Sequence, residues 1–507
     1  MADPTDPSDP THLKHRSSRW LPPALTALLI LFCLTMAGQG LTTAYSYWSD
    51  ELWSMAASQS DWGVLLHDWL IPDVHPPLYQ LLLKLWIGVF GTGEPATRSL
   101  SFLIAALGLV AAALCSSGRG AGRRLFTVAF LGTSPAFLFY AQETRSYALS
   151  MLLSTLMLGT ALLLRQRTGR HEGALRCGFA ISALLLSLTH YFSLIFVVVV
   201  LAVVTAEGTV FRSRSHAIPL LLLLMLWPLS HAVLSPPAEN FTRIDWIEVT
   251  PISGTITQFL AGTLPLLDPR QGPRGLLILI GLVGGIGAAT LPLLHRGASN
   301  RKAPDTGEAR FLLTLILAFL ALILAIDPFR PLSQSRYYIV VLPALAYLVG
   351  IGWDLSVGLG RVRRVALASL LCAVMLLQLR IGTQHLAVKQ GPLENHKLLG
   401  SFVVDSDLCR KGEGCWSSGW FLEALTATYF SSRELMAFDP GTPLAQTRLD
   451  RPLLGFRRAY PRLKGLIANN PALACWEAPG SWKATSFILL PRTSPAQPAR
   501  HGLRPCP

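Results

Sequence analysis

The chain has 507 residues, 51% of them hydrophobic and only 14% charged, with a mean hydropathy of +0.43. Soluble proteins carry roughly 25% charged residues, so a water-soluble multidomain enzyme is excluded, and stretches such as 21–41, uncharged over about 20 residues, match a bilayer core. The formal net charge of +14 would point to nucleic acid in a soluble chain; in a membrane protein, basic residues first report sidedness, and no nucleic-acid partner is expected.

Residues 1–20 contain three Asp-Pro dipeptides and read as a disordered cytoplasmic tail. No apolar stretch precedes residue 21, so 21–41 reads as a retained signal anchor. Apolar runs then predict 11 transmembrane helices, near 21–41, 96–117, 125–140, 147–164, 174–189, 192–208, 216–234, 275–294, 311–326, 337–355 and 364–380. Basic residues cluster on alternate connections, as orientation by the positive-inside bias requires. Lys14, Arg16 and Arg19, the RGAGRR run with Arg123 and Arg124, Arg165 to Arg176, Arg212 and Arg214, Arg296 to Arg310, and Arg361 to Arg364 fall inside. Outer connections hold scattered bases only: Lys84, Arg98, Arg145, Arg243, Arg270, Arg274, Arg330 and Arg336. The expected protein is a multi-pass plasma-membrane protein among membrane lipids, its N-terminus cytoplasmic and its C-terminus outside.

The first outer loop, 42–95, belongs to the transmembrane domain 21–381. Its segment HPPLYQLLLKLWIGVFG is short, follows two prolines and holds Lys84 in the middle, so it reads as an interfacial helix. Trp48, Trp53, Trp62, Trp69 and Trp86 suit the headgroup level. Residues 382–507 turn polar and Pro/Gly-punctuated, a length near that of one domain. Cys409, Cys415, Cys475 and Cys506 in that tail read as two disulfides with three pairings open, or as free thiols. Runs such as SFVVD and TSFILLP read as strands, giving a small extracytoplasmic α/β domain. The fold class is thus a mainly α polytopic membrane bundle with interfacial helices and this C-terminal domain. No nucleotide-binding motif is present.

Polar clusters stand out against this background, because ionisable groups at a bilayer rim are costly unless used or paired. Asp50 and Glu51 follow the first span; either a helix cap or a fixed, ionised general base accounts for them. In DVHPPLY, the prolines bias His75 to an extended backbone, so Asp73 and His75 share a side next to Tyr79. They are capping groups, an acceptor pocket or, with Glu51, oxygen and nitrogen ligands for a metal. In YAQETRSY, Arg145 lies beside Glu143 and Tyr147 at an outer turn, where a local ion pair or a phosphate fork fits. Arg98, and Arg336 with Tyr337, sit at the outer ends of other spans, as anchors or as phosphate ligands. His190 and Tyr191 mark a further outer turn.

Taken together, the DE pair in a long first loop, D-x-HPPLY, R-S at span two, QExRSY after span three, the HY turn and SRYY before a proline-containing span make residues 20–350 resemble the GT-C superfamily of integral-membrane glycosyltransferases. The branch is that of protein O-mannosyltransferases, lipid A aminoarabinose transferases and related bacterial galacturonosyl or mannosyl transferases. That resemblance implies a polyprenyl-phosphate-sugar donor and inverting transfer to a lipid, glycan or protein acceptor on the outer side. It assigns Asp50 as the catalytic carboxylate with Glu51 beside it. Arg145 and Arg336, with Arg98, become the donor-phosphate ligands. Asp73, His75, Tyr79, Glu143, Tyr147, His190, Tyr191 and Tyr337 line the acceptor side or brace the loop. No cofactor is required, since arginine can meet a monophosphate leaving group; a divalent metal on Glu51, Asp73 and His75 stays open. The alternatives are a transporter or flippase of lipid-linked sugars, which would place polar groups near the midplane, and a membrane-anchored assembly protein.

Overall fold

The computed structural model describes residues 10–43, 45–71, 73, 75–116, 120–166, 171–211, 217–234, 247, 251–267, 304–356, 360–389, 391–418, 428–430, 432–437, 451–456, 471–480 and 486–506. The expected span 275–294, and Arg243, Arg270 and Arg274, lie outside these residues. Within them the protein is a multi-pass helical membrane fold. Six helices are long and apolar enough to cross a bilayer, Glu94–Cys115, Tyr147–Arg165, Ala217–Leu234, Thr306–Ile326, Ser335–Leu355 and Arg361–Val388, and Pro23–Ala37 and Tyr191–Glu207 are shorter apolar helices. Helices Ala121–Gly132 and Glu172–Ser187 occupy two further expected positions.

Two expected spans are interrupted, each at a proline. The run 125–140 splits into Ala121–Gly132 and Pro135–Tyr140, because Ser134 accepts the Phe137 N–H at 3.1 Å and Pro135 starts the new helix without an N–H to lose. The run 337–355 opens with a tighter 3-10 stretch, Ser335–Val341, and becomes α-helical at Leu342 with Pro343 in its first turn. The first helix starts at Pro10, ahead of the apolar run.

Several polar side chains inside the bundle are paired with backbone or charged groups, as a medium without water favours. Tyr347 donates to the Thr155 carbonyl at 3.0 Å and Ser154 to that of Val340 at 2.7 Å. Arg123, expected as an orientation signal, is 1% exposed and donates to Glu308 at 2.7 Å. There the helices touch closely: a Cβ on Gly350 would lie 2.1 Å from Thr127 Oγ1.

At the opposite end the first loop is helical. Ser49–Gln59 is followed by the turn Trp62–Val64, a π-helical stretch Leu65–Leu70, and Leu78–Phe90. Thirteen residues make Leu78–Phe90 about 20 Å long, too short for a hydrocarbon core of about 30 Å. Tyr79, Gln80 and Leu83 are buried while Leu85, Val89 and Phe90 are exposed. Lys84 donates to the Ser58 and Ser60 carbonyls, so its charge ties this helix to the end of Ser49–Gln59.

The C-terminal domain starts with helix His396–Asp405, whose Asn395 side chain caps the Leu398 N–H at 3.2 Å. SFVVD, expected as a strand, is the last part of that helix. The strands β1 Cys415–Ser418, β2 Leu435–Ala437, β3 Leu453–Phe456, β4 Leu473–Glu477, β5 Ser486–Pro491 and β6 Arg504–Pro505 form a mixed sheet in the order β2-β1-β3-β5-β4-β6. β1 is parallel to β2 and β3, and the remaining pairs are antiparallel. The run SFILLP is β5, flanked on both edges and almost wholly buried, which explains its unbroken apolarity. Of the three open pairings, the fold adopts Cys409–Cys415 and Cys475–Cys506, with Cα separations of 4.8 and 5.4 Å.

Candidate active site

The centre of the site is the start of helix Ser49–Gln59. Trp48 precedes it in extended conformation, and its N–H donates to Glu51 at 3.4 Å. Successive helical residues diverge by about 100°, so the two acids face different surroundings. Glu51 points into the bundle and is 1% exposed. Its Oε1 accepts from Arg98 Nε at 3.0 Å and the Thr144 N–H at 2.9 Å, and its Oε2 from Arg98 Nη2 at 2.7 Å. Burial would lift this carboxyl, but Arg98, Lys389 and the Thr144 N–H hold it below the usual glutamate range. Arg98 is fully buried, donates to the Tyr45 and Ser46 carbonyls, and stacks over the Tyr45 ring at 3.9 Å. Its guanidinium is taken up by the protein itself.

Asp50 lies on the open side, a quarter exposed, with Oδ2 3.6 Å from Arg336 Nη2. Arg336 comes from the 3-10 stretch and faces the Trp48 and Tyr337 rings at 5.7 and 5.4 Å. That stretch approaches helix Ile252–Thr263 so closely that a Cβ on Gly262 would sit 2.0 Å from the Ser335 carbonyl oxygen, which only glycine permits. Arg336, Trp48, Tyr140, Glu143 and Gly262 line a cleft of about 340 Å³ with largely apolar walls.

Behind Asp50 runs a chain of hydrogen bonds. Arg145 donates from Nη1 to the Asp50 carbonyl at 3.3 Å and Ser54 Oγ at 3.1 Å, and from Nη2 to His75 Nε2 at 3.3 Å. Asp73 is buried and saturated: Oδ1 faces the His75 N–H and Nδ1 at 3.1 and 3.0 Å, and Oδ2 accepts from Trp53 and Gln80 at 3.2 and 3.1 Å. A neutral His75 meets both partners when Nδ1 carries the proton. Burial works against the Asp73 charge, yet His75, Arg145 and Trp53 hold its pKa below the usual aspartate value. His190 accepts the Phe192 N–H, and its ring is 5.0 Å from His75 and 4.3 Å from Tyr337. Burial, with His75 and the arginines nearby, keeps His190 well below the histidine range and therefore neutral.

The structure thus gathers Asp50, Arg145, Arg336, His75, His190 and Tyr337. Tyr147 packs against Tyr140, which lines the cleft, with ring centroids 4.7 Å apart and the rings tilted by 55°. Two residues turn elsewhere: Tyr79 is bound to Ser101 at 3.0 Å in the core, and Tyr191 to His231 at 2.6 Å. Glu143 does not pair with Arg145 but with Lys389, at 3.0 Å. Burial raises the Glu143 carboxyl against the pull of Lys389, and lowers the Lys389 ammonium against that of Glu143. Lys389 and Trp53, with Gln80 and Ser54, are site residues that sequence reasoning missed; none belongs to a polar cluster in the chain.

Glu51, Asp73 and His75 do not fit a divalent cation. Glu51 has both oxygens on Arg98, and His75 has both nitrogens engaged by Asp73 and Arg145. Among the described residues no group of three or more His, Cys, Asp or Glu is placed to hold a metal ion.

The architecture is thus a helical bundle whose first loop carries an acidic helix and whose later loops bring arginines to it. Solved structures with that architecture are similar to the chain over nearly its whole length. The ArnT of Cupriavidus metallidurans in the apo state has a TM-score of 0.54 at 15% identity, covering 94% of this chain and 98% of that one. Bound to undecaprenyl phosphate, the same protein gives 0.53 at 15%, covering 92% and 98%. The oligosaccharyltransferase of Archaeoglobus fulgidus, tethered to an acceptor peptide, gives 0.53 at 11%, covering 92% and 74%. At these identities the likeness shows the fold: this is a multi-pass membrane protein of the GT-C fold. No family model and no curated protein sequence matches the chain.

Proposed function

We propose that the protein is an inverting glycosyltransferase that moves a sugar from a polyprenyl-phosphate carrier to a lipid, glycan or protein acceptor at the extracytoplasmic face. The observation that carries this reading is the Asp50–Arg336 pair, an accessible carboxylate 3.6 Å from a guanidinium at the mouth of an apolar cleft. An apolar cleft with a cation at its rim suits a lipid phosphate, and the same carrier chemistry is bound by the ArnT neighbour. The two disulfides of the C-terminal domain suit an oxidising, extracytoplasmic compartment.

In this reaction Asp50 takes the proton from the acceptor hydroxyl or amine. The freed lone pair forms the new bond to the anomeric carbon, opposite the bond to phosphate, which breaks with its electrons leaving on the phosphate oxygen. Arg336 meets the charge that grows there, the largest kind of electrostatic contribution when the donor is preorganised. Arg145, fixed by Ser54 and His75, supports both the Asp50 backbone and the positive field. No step is assigned to a metal. The polar groups gather at one end of the bundle rather than at its midplane, which favours this reading over a flippase.

Membranes carrying Asp50→Asn test the assignment, assayed for transfer from a panel of undecaprenyl-phosphate sugars. Loss of transfer with retained folding is expected. Transfer at the wild-type rate removes Asp50 from the mechanism, and wild-type movement of the lipid-linked sugar without transfer moves the protein to the flippase class.

A further inference from the structure

The described residues of the segment 389–397 join the last spanning helix to the C-terminal domain and reach the first loop and the turn at 139–143. Lys389, at its start, donates to the Phe139 carbonyl at 2.8 Å and pairs with Glu143. Lys397, at its end, donates from its backbone to Ser46 Oγ at 3.2 Å and from Nζ to Glu94 at 3.0 Å, and Tyr429 of the same domain joins Glu94 and the Tyr47 N–H. Between them lies Glu394, 4% exposed. Its Oε2 accepts the Ser49 N–H at 2.7 Å, accepts the Ser49 hydroxyl as well, and stands 3.0 Å from His396 Nε2.

Ser49 is the first residue of the helix whose second residue is Asp50. A helix start has N–H groups without partners in the helix, normally met by a Ser, Thr, Asp or Asn side chain at the cap. Here the cap position is Trp48, which has no acceptor. The acceptor comes instead from 345 positions away in the chain, and as a carboxylate it also complements the helix dipole.

We propose that Glu394 is a positioning residue of the active site: the segment leading into the C-terminal domain caps the helix of the first loop and so fixes where the Asp50 carboxylate points. This rests on the reading of Asp50 as the base. It gives that segment a part in the reaction without contact with substrate. Because small misplacement of a reacting group costs up to about a hundredfold in rate, loss of the cap should slow chemistry rather than weaken donor binding.

The test uses full-length protein in lipid nanodiscs with Glu394→Ala, Glu394→Gln and Ser49→Pro. Glutamine still offers an oxygen to Ser49 and should restore function. Proline is tolerated in the first helical turn and behind an extended Trp48, yet removes both Ser49 donors without touching the C-terminal domain. Expected for Glu394→Ala and Ser49→Pro are a fall in kcat of at least about tenfold with an unchanged KM for the donor, unchanged binding of undecaprenyl phosphate as probe, and at least about tenfold faster hydrogen exchange over 50–53. If kcat is unaffected in a folded Ser49→Pro, or exchange over 50–53 stays at the wild-type rate in both variants, the proposal is overturned. Should the wild-type protein transfer no sugar at all, the functional reading fails, and the capping role is then decided by exchange alone.

Discussion

Asp50 and Glu51 are neighbours in one turn, and each faces an arginine, yet the two ion pairs are built for different ends. Glu51–Arg98 is closed: 2.7 Å apart, at most 1% exposed, with every carboxylate oxygen and most guanidinium nitrogens used within the protein. Asp50–Arg336 is open: 3.6 Å apart and 20–25% exposed, at the edge of a cleft. A closed pair in a medium of low dielectric holds shape, because separating it leaves a buried charge. An open pair costs little to separate, so an incoming phosphate and an acceptor hydroxyl can each take one member. On the proposed function, one acid fixes the loop and the next stays accessible to ligand.

This contrast breaks most visibly if the two acids are exchanged in role. Asp50→Asn should lower transfer by about 10²–10⁴, the usual worth of a general base, with the thermal unfolding midpoint unchanged. Glu51→Ala should act the other way round, destabilising the protein by about 3–5 kcal/mol through the unpaired Arg98; thermal unfolding of purified protein in detergent measures it. A stable Glu51→Ala protein that binds donor normally would make the closed pair dispensable.

Composition and spacing do not separate the parts of the two acids, which only the resemblance distinguishes by singling out Asp50, because which way each acid faces depends on a rotation of about 100° per residue about an axis that tertiary packing sets. Most of the spans among the described residues were legible as apolar runs set against basic or polar breaks, although 125–140 and 337–355 are interrupted. So was the short helix Leu78–Phe90, through its length and Lys84. The gathering of Arg145, Arg336 and Asp50 was foreshadowed by the expected topology, which put all three on one side. Lys389 and Glu394 carried no such signal: they lie in a polar tail and find Glu143 and Ser49 across 246 to 345 positions, a pairing that folding alone decides. SFVVD misled for the opposite reason. A five-residue run with three apolar residues at its centre suits a strand or one face of a helix, and the Asn395 cap decided for the helix.

Substitutions on the arginine side should give smaller effects. Arg336→Gln removes a charge-assisted contact worth about 1.5–3 kcal/mol, which appears as a roughly 10- to 100-fold weaker affinity for undecaprenyl phosphate with stability retained, since Arg336 is one of the open partners. Arg98→Gln should instead leave affinity per folded molecule intact and reduce the folded yield. Acid separates the same regions. Asp73 and Glu51 have lowered carboxyl pKa values, so the stability they contribute is complete above the ordinary carboxylate range of about 4 and is lost as pH falls through their lower folded values. The unfolding midpoint should therefore drop steeply below about pH 4, beneath a gentler decline that His190, held neutral by burial, imposes as pH falls below the ordinary histidine value of about 6.5. Asp73→Asn should shallow that drop.

The smallest expected quantity is the coupling inside the open pair itself. A double-mutant cycle on stability with Asp50→Asn and Arg336→Gln should yield no more than about 1 kcal/mol, the range of solvent-accessible ion pairs, while the same cycle on Glu51 and Arg98 should yield several times as much. Ligand sharpens the comparison. When undecaprenyl phosphate is added, its phosphate competes with Asp50 for Arg336, so the small coupling should shrink further or change sign, because the carboxylate and the phosphate then repel across the same guanidinium. The Glu51–Arg98 coupling should stay constant under the same addition, since no solvent path leads to it. A coupling at Asp50–Arg336 as large as that of the buried pair, and insensitive to the carrier, would mean that Asp50 is held as firmly as Glu51 and is not available to take a proton from an acceptor.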